Sequence, residues 1–214
     1  MEFHCKGLLF DNDGVLVDSH AAAVAAWAQW ASEFAPGFDW DQPGNAGRRA
    51  EDKVREQVAP ELFDVANDRI NQLEQDTAGE TVALGGAVAL LTSLPADVWT
   101  VCTSANPRLG RARLQAAGLP VPPQLVTADD VSAGKPAPDP YLLGAQKLGL
   151  DPADCVVFED AQAGALAGIA AGAGLIVGVS EKALDTDADI VVRDLSGITF
   201  DGEVLFIPDK NRLR

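Results

Sequence analysis

Short apolar runs recur along the chain at Gly7–Phe10, Val98–Cys102, Gln124–Val126, Cys155–Phe158, Leu175–Val179 and Ile190–Val192. They are continuous, not alternating, which predicts strands covered on both faces, as in a parallel sheet. Helical patterns lie between most of them. Leu109–Ala117 ends at Gly118, Tyr141–Leu148 at Gly149 and Ala161–Ala171 at Gly172. Glycine is the residue that most readily adopts the left-handed turn closing a helix. Strands and helices alternating in this way predict an α/β domain built on a Rossmann-like parallel sheet.

One interval breaks the alternation. Between the first run and Val98 no strand pattern is found. Ser19–Phe34 reads as a helix with Ser19 as N-cap. Trp27 and Trp30, three apart, form a packing stripe on one of its faces. Pro36–Gly47 reads as a loop, Ala50–Val58 and Glu61–Gln75 read as helices, and Gly79, Gly85 and Gly86 punctuate the return. Residues 18–81 are therefore expected to form a helical insertion after the first strand. Residues 1–17 and 82–214 are expected to form the main domain, with Gly86–Leu94 a core helix. The tail Ile198–Ile207 predicts a hairpin around Asp201-Gly202.

Composition narrows the function. A chain of 214 residues, 47% hydrophobic, suits one large domain with an insertion and a real core. The formal charge of -16 excludes a nucleic-acid-binding face and docking on an anionic membrane. A phosphorylated substrate would be held by a few local cations or a metal. Cys5, Cys102 and Cys155 are odd in number and form no Cys-x-x-Cys pair, so reduced core cysteines in a cytoplasmic protein are expected. No apolar leader precedes Asp11. The uncharged stretch 161–180 is broken by Gln162 and several glycines, and reads as helix, turn and strand, not as a membrane span.

The chemistry lies at the ends of the runs, where open α/β sheets place their sites. Asp11 and Asp13 follow the first run. Thr103, Ser104, Ala105 and Asn106 follow the second. A loop after the third leads to Lys135, and Glu159 and Asp160 follow the fourth. Clustered carboxylates repel one another, and a hard, oxygen-seeking cation relieves that cost; Mg²⁺ fits, using few carboxylates together with water and phosphate. Asn106 is placed to cap a helix whose first residue is Pro107. The free N–H groups around Ser104–Asn106 then make an anion seat, with Lys135 adding a point charge. A carboxylate nucleophile, a metal, a phosphate seat and a second carboxyl amount to phosphoryl transfer through an aspartyl phosphate.

These residues resemble the motifs of the haloacid-dehalogenase (HAD) superfamily. Asp11-Asn12-Asp13-Gly14-Val15 resembles its first motif. Ser104, with Thr103 as the alternative one residue earlier, resembles the second. Lys135 in Gly134-Lys135-Pro136 resembles the third, and Glu159-Asp160 the fourth. The helical insertion resembles the superfamily's C1 cap. The resemblance implies that Asp11 is the nucleophile and a Mg²⁺ ligand. It implies that Asp13 is the general acid/base and gives its backbone carbonyl to the metal. Ser104 and Lys135 would hold the phosphoryl group, Asp160 would ligate Mg²⁺, and Glu159 would be a ligand or a partner behind one. Cys5-Lys6-Gly7-Leu8-Leu9-Phe10-Asp11, Ala26-Trp27-Ala28-Gln29-Trp30-Ala31 and the stretch from Pro140 to Leu150 resemble small-sugar and polyol phosphatases. Gly47-Arg48-Arg49-Ala50-Glu51-Asp52 resembles the substrate loop of that group and of glycerol-phosphate phosphatases. Arg49 and Asp52 are expected at the sugar or polyol end, although an exposed pair on a helix start is the competing reading.

The implied activity is Mg²⁺-dependent hydrolysis of small sugar or polyol phosphates by a monomeric enzyme. A hexose-phosphate mutase is the alternative of the same fold. It is disfavoured because Ala23 stands near the position of the cap-helix His that mutases carry, and His20 is expected on another face. A phosphorylated receiver domain would lack the insertion and the second Asp. A catalytically dead binding protein would not keep all four motifs. Asn12 departs from the apolar residue usual between the two aspartates. Strand alternation turns it away from them, as a packing neighbour.

Overall fold

The computed structural model describes residues 1–42 and 44–214. Pro43, within the segment read above as a loop, lies outside the described residues. In chain order the strands and helices are β1 (Glu2–His4), β2 (Gly7–Phe10), β3 (Val17–Asp18), α1 (His20–Phe34), α2 (Ala50–Gln57), α3 (Phe63–Thr77), β4 (Val82–Ala83), α4 (Ala87–Ser93), β5 (Trp99–Val101), α5 (Pro107–Ala116), α6 (Asp139–Leu148), β6 (Cys155–Glu159), α7 (Gln162–Ala171), β7 (Leu175–Val179), β8 (Ile190–Val192), β9 (Thr199–Phe200) and β10 (Val204–Phe206).

The continuous apolar runs form a five-stranded parallel sheet ordered β5-β2-β6-β7-β8. Its two faces feed separate cores. Leu8, Phe10, Val101, Val156 and Phe158 pack on one side, and Leu9, Cys102, Val157, Ile176 and Val191 on the other. This is the period-two division of strands buried on both faces. Phe10 stands opposite both Val101 and Phe158. The chain therefore leaves β2, β5 and β6 at one level. From β2 the chain goes first to β5 on one side and later to β6 on the other, so β2 marks a topological switch point, where such sheets open a crevice.

The helical segment has its own core. Trp27 and Trp30 pack with Val54, Ala66 and Ile70 from the other two helices. Trp30 Nε1 donates to the carbonyl of Ala66 at 2.8 Å. The tryptophan stripe is thus packing.

Four features of the fold differ from those expected. Gln124–Val126 is not a strand but a single bridge from Val126 to Cys102; Pro122 and Pro123 just before it supply no N–H for a ladder. β3 and β4 form an unexpected antiparallel pair, Val17 opposite Ala83 and Asp18 opposite Val82. It ties the two ends of the helical segment together. β1 adds an outer strand to the expected tail hairpin of β9 and β10. Ser19 occupies the N-cap position of α1 but makes no capping bond, because its hydroxyl is used elsewhere. The three cysteines are buried and unbridged. Among the described residues no helix is long and apolar enough to cross a membrane.

Candidate active site

The common level of β2, β5 and β6 brings the expected residues to one edge. Asp11 N–H still bonds to Phe158 O at 2.9 Å, so the Asp11 side chain emerges beside Glu159 and Asp160. Carboxylate oxygens of Asp11, Glu159 and Asp160 all lie within 4.8 Å of one another. Two glycines make this crowding possible. Gly14 sits at φ +81°, and a Cβ there would fall inside the Asp160 carboxylate; one at Gly164 would fall inside that of Glu159.

Lys135 is fully buried and reaches this cluster from its loop. Its Nζ donates to Asp11 Oδ1 at 2.7 Å and to Glu159 Oε1 at 2.6 Å. Burial opposes its charge, but the Asp11 and Glu159 carboxylates outweigh that and hold the ammonium above its ordinary range. The Tyr141 hydroxyl also donates to Glu159 Oε1, and the Asp160 N–H donates to Glu159 Oε2 at 3.2 Å. Burial, then repulsion from Glu159, raises Asp11 from 3.8 to about 7. Burial, then repulsion from Asp11 and Glu159, raises Asp160 well above the usual carboxylate range. An all-oxygen donor set whose members resist joint ionisation fits a hard divalent cation.

At the end of β5, Asn106 caps α5 as expected, its Oδ1 accepting from Leu109 N–H at 2.9 Å. Ser104 Oγ donates to Gly47 O at 2.7 Å, across to the helical segment. Thr103 is buried, and its Oγ1 accepts from Ala105 N–H at 3.1 Å. Asp13 accepts from Ser19 Oγ at 2.5 Å and pairs with Arg113 of α5 at 3.0 Å. The same buried guanidinium pairs with Glu74 of α3 at 3.3 Å.

A cavity of about 340 Å³ opens over these groups. Asp11, Asp13 and Asp160 border it on the sheet side, Ser104, Ala105 and Asn106 at the end of β5, and Lys53, Asn71 and Glu74 on the helical side.

A catalytic-looking edge on this sheet, under a helical segment spliced in after its first core strand, matches a known group of enzymes. The model of the haloacid dehalogenase-like hydrolases matches residues 5–172. The chain belongs to that hydrolase family. Hexitol phosphatase A of Escherichia coli is 43% identical to this hydrolase over 204 residues, covering 91% of the chain and 94% of the relative. Glycerol-1-phosphate phosphohydrolase 2 of Saccharomyces cerevisiae is 35% identical, covering 94% and 89%. Among solved structures, a hydrolase from Pseudomonas syringae superposes with a TM-score of 0.78 at 29% identity, covering 89% of this chain and 94% of that one.

The hydrolase places most of the expected site residues together, but not all. Asp11, Asp13, Ser104, Ala105, Asn106 and Asp160 border the cavity. Lys135 and Glu159 stand directly behind Asp11, and Thr103 is turned inward. Arg49 and Asp52 do not reach the cavity. Arg49 is bound to Asp52 at 2.8 and 2.9 Å and to Val131 O at 3.3 Å, docking the start of α2 onto the sheet domain. His20, expected on another face from Ala23, borders the cavity with it, because residues three apart share a helix face. Lys53, Glu74 and Arg113 were not singled out in the sequence. Polar residues inside amphipathic helices look solvated until their partners, tens of residues away, are known. Asn12 is wholly buried, with neither amide atom hydrogen-bonded among the described residues; nothing in the structure gives it a role.

Proposed function

We propose that this hydrolase is a phosphatase for small sugar or polyol phosphates, working through Asp11, and that residues 18–81 form its cap. The observation that carries this is the meeting of Asp11, Asp13, Ser104 and Asp160 at one cavity edge with Lys135 behind them. The names of the hexitol- and glycerol-phosphate-cleaving relatives support the substrate class.

In this mechanism the Asp11 carboxylate attacks phosphorus as the ester P–O bond breaks, forming an acyl phosphate. Asp13 gives its proton to the departing alkoxide. It then takes one from the water that attacks phosphorus and returns Asp11 to a carboxylate. Ser104, on exchanging Gly47 O for substrate, and the Asn106 N–H seat the phosphoryl oxygens; the Ala105 N–H, expected free, is taken by the inward-facing Thr103 Oγ1, which favours Ser104 over Thr103. Lys135 balances Asp11 and Glu159. Asp11, Asp160 and the Asp13 carbonyl would hold Mg²⁺, which supplies charge neutralisation on the transferring group. Glu159, engaged by Lys135, Tyr141 and the Asp160 N–H, orients this set from behind. The helical cap excludes bulk water.

The test is phosphate release from hexitol, hexose, pentose and glycerol phosphates, with Mg²⁺ and after chelation. Release that is Mg²⁺-dependent and fastest on these esters is expected. Release no greater than that of an Asp11→Asn variant, or isomer interconversion driven by a bisphosphate in its place, overturns the proposal.

A further inference from the structure

Lys53 is the most unusual cation in the molecule. It lies on α2, is 5% exposed and borders the cavity. Its Nζ sits 4.6 Å from the ring centroid of Trp27 and 5.6 Å from that of Trp40. Among the described residues it has no hydrogen-bond or ion-pair partner. Its neighbours are committed: Arg48 to Glu56, Arg49 to Asp52, and Arg113 to Asp13 and Glu74. An ammonium on so buried a side chain, bordering the cavity and without a protein acceptor, is costly, and two aromatic faces repay only part of that cost. Burial lowers Lys53 from 10.5 to about 8.

Across the same wall stands Glu74. Its Oε1 takes Arg113, and its Oε2 has no hydrogen bond among the described residues. An amine with free donors and a carboxylate with a free acceptor therefore face one space. A hydroxyl, which accepts and donates at once, satisfies both. A second phosphate group does not. It would stand beside the carboxylates of Glu74, Asp13 and Asp18, while of the other cations at the cavity Arg48 and Arg113 are ion-paired and Lys182 contacts His20 at 3.1 Å.

We propose that Lys53 and Glu74 form a hydroxyl-reading pair that selects esters bearing free hydroxyls on the carbon chain beyond the phosphate, uncharged there, over bisphosphates and bare aryl or alkyl phosphates. This rests on the phosphatase reading. Lys53 donates to a substrate hydroxyl oxygen, and Glu74 accepts that hydroxyl's proton or its neighbour's.

The test compares kcat/KM on a hexitol phosphate and on 4-nitrophenyl phosphate for wild type, Lys53→Met, Lys53→Arg and Glu74→Gln. Losing a charged hydrogen bond in a site built for a hydroxyl is expected to lower the hexitol phosphate value by roughly 10–100-fold in Lys53→Met. The loss on the aryl ester is expected to be several-fold smaller, with Lys53→Arg recovering part of the hexitol phosphate activity and Glu74→Gln falling in the same sense. Equal losses on both esters, or none on either, overturn the pair. A wild type that cleaves the aryl ester but no hydroxylated one also overturns the pair and leaves the hydrolase chemistry standing. A wild type that cleaves neither overturns the phosphatase reading, and the pair with it.

Discussion

If Lys53 is kept charged and buried for binding, the fold must be carrying its cost, and Lys53→Met should stabilise the protein. The folded state lowers the ammonium from 10.5 to about 8. Folding is thus relatively favoured above 10.5, where both states are neutral, and that advantage is lost as pH falls through 8. At pH 7 nearly the whole penalty is felt. At 1.36 kcal/mol per pH unit the interval corresponds to roughly 3 kcal/mol. Methionine has a similar length and lies well against the two indoles. A gain of about 1–3 kcal/mol at pH 7 is therefore expected, shrinking to about 1 kcal/mol or less at pH 10. Urea unfolding followed by far-UV circular dichroism at the two pH values measures it, and groups common to both proteins cancel in the difference. A variant less stable than wild type at pH 7, or a difference that does not change with pH, refutes the reasoning.

Gly14→Ala forces a side chain into the Asp160 carboxylate at a positive-φ position; kcat/KM should fall by at least roughly 100-fold, since misplacing a catalytic group by about 1 Å costs that much, and steady-state assays read it. Asn106→Ala removes both the cap of α5 and the bond to Asn71 of α3 at 3.0 Å. It should cost about 1 kcal/mol, read as a fall of roughly 2–4 °C in the thermal midpoint.

The sheet was legible because burial on both faces leaves unbroken apolar runs, as in Leu8–Phe10 and Val156–Phe158. The helices announced their ends at Gly149 and Gly172, both left-handed in the structure. Short pieces were not legible. The two-residue β3 and β4 carry no pattern, and the three residues of β1, with Glu2 and His4 on either side of Phe3, are a strand only because β10 is there to pair with. The carboxylate edge was legible because Asp11 directly follows β2 and Glu159 ends β6 with Asp160 next, so parallel register assembles all three. The substrate wall was not. Arg49 looked like a ligand by its place in the cap loop, yet Asp52 and Val131 claim it. Lys53 was not singled out in the sequence, yet its Nζ lies over Trp27 and Trp40. Which of two polar residues in one helix turn meets the cavity depends on how the cap sits on the sheet, and that is a long-range property.

The central claim is that Asp11 carries the phosphoryl group. Rapid mixing with a hexitol phosphate and Mg²⁺, quenching, and reduction with borohydride converts an acyl phosphate to the alcohol, so peptide mass spectrometry should find homoserine at position 11 and at no other aspartate. Active enzyme that yields no homoserine at position 11, or yields it at position 13 or 160, contradicts the account.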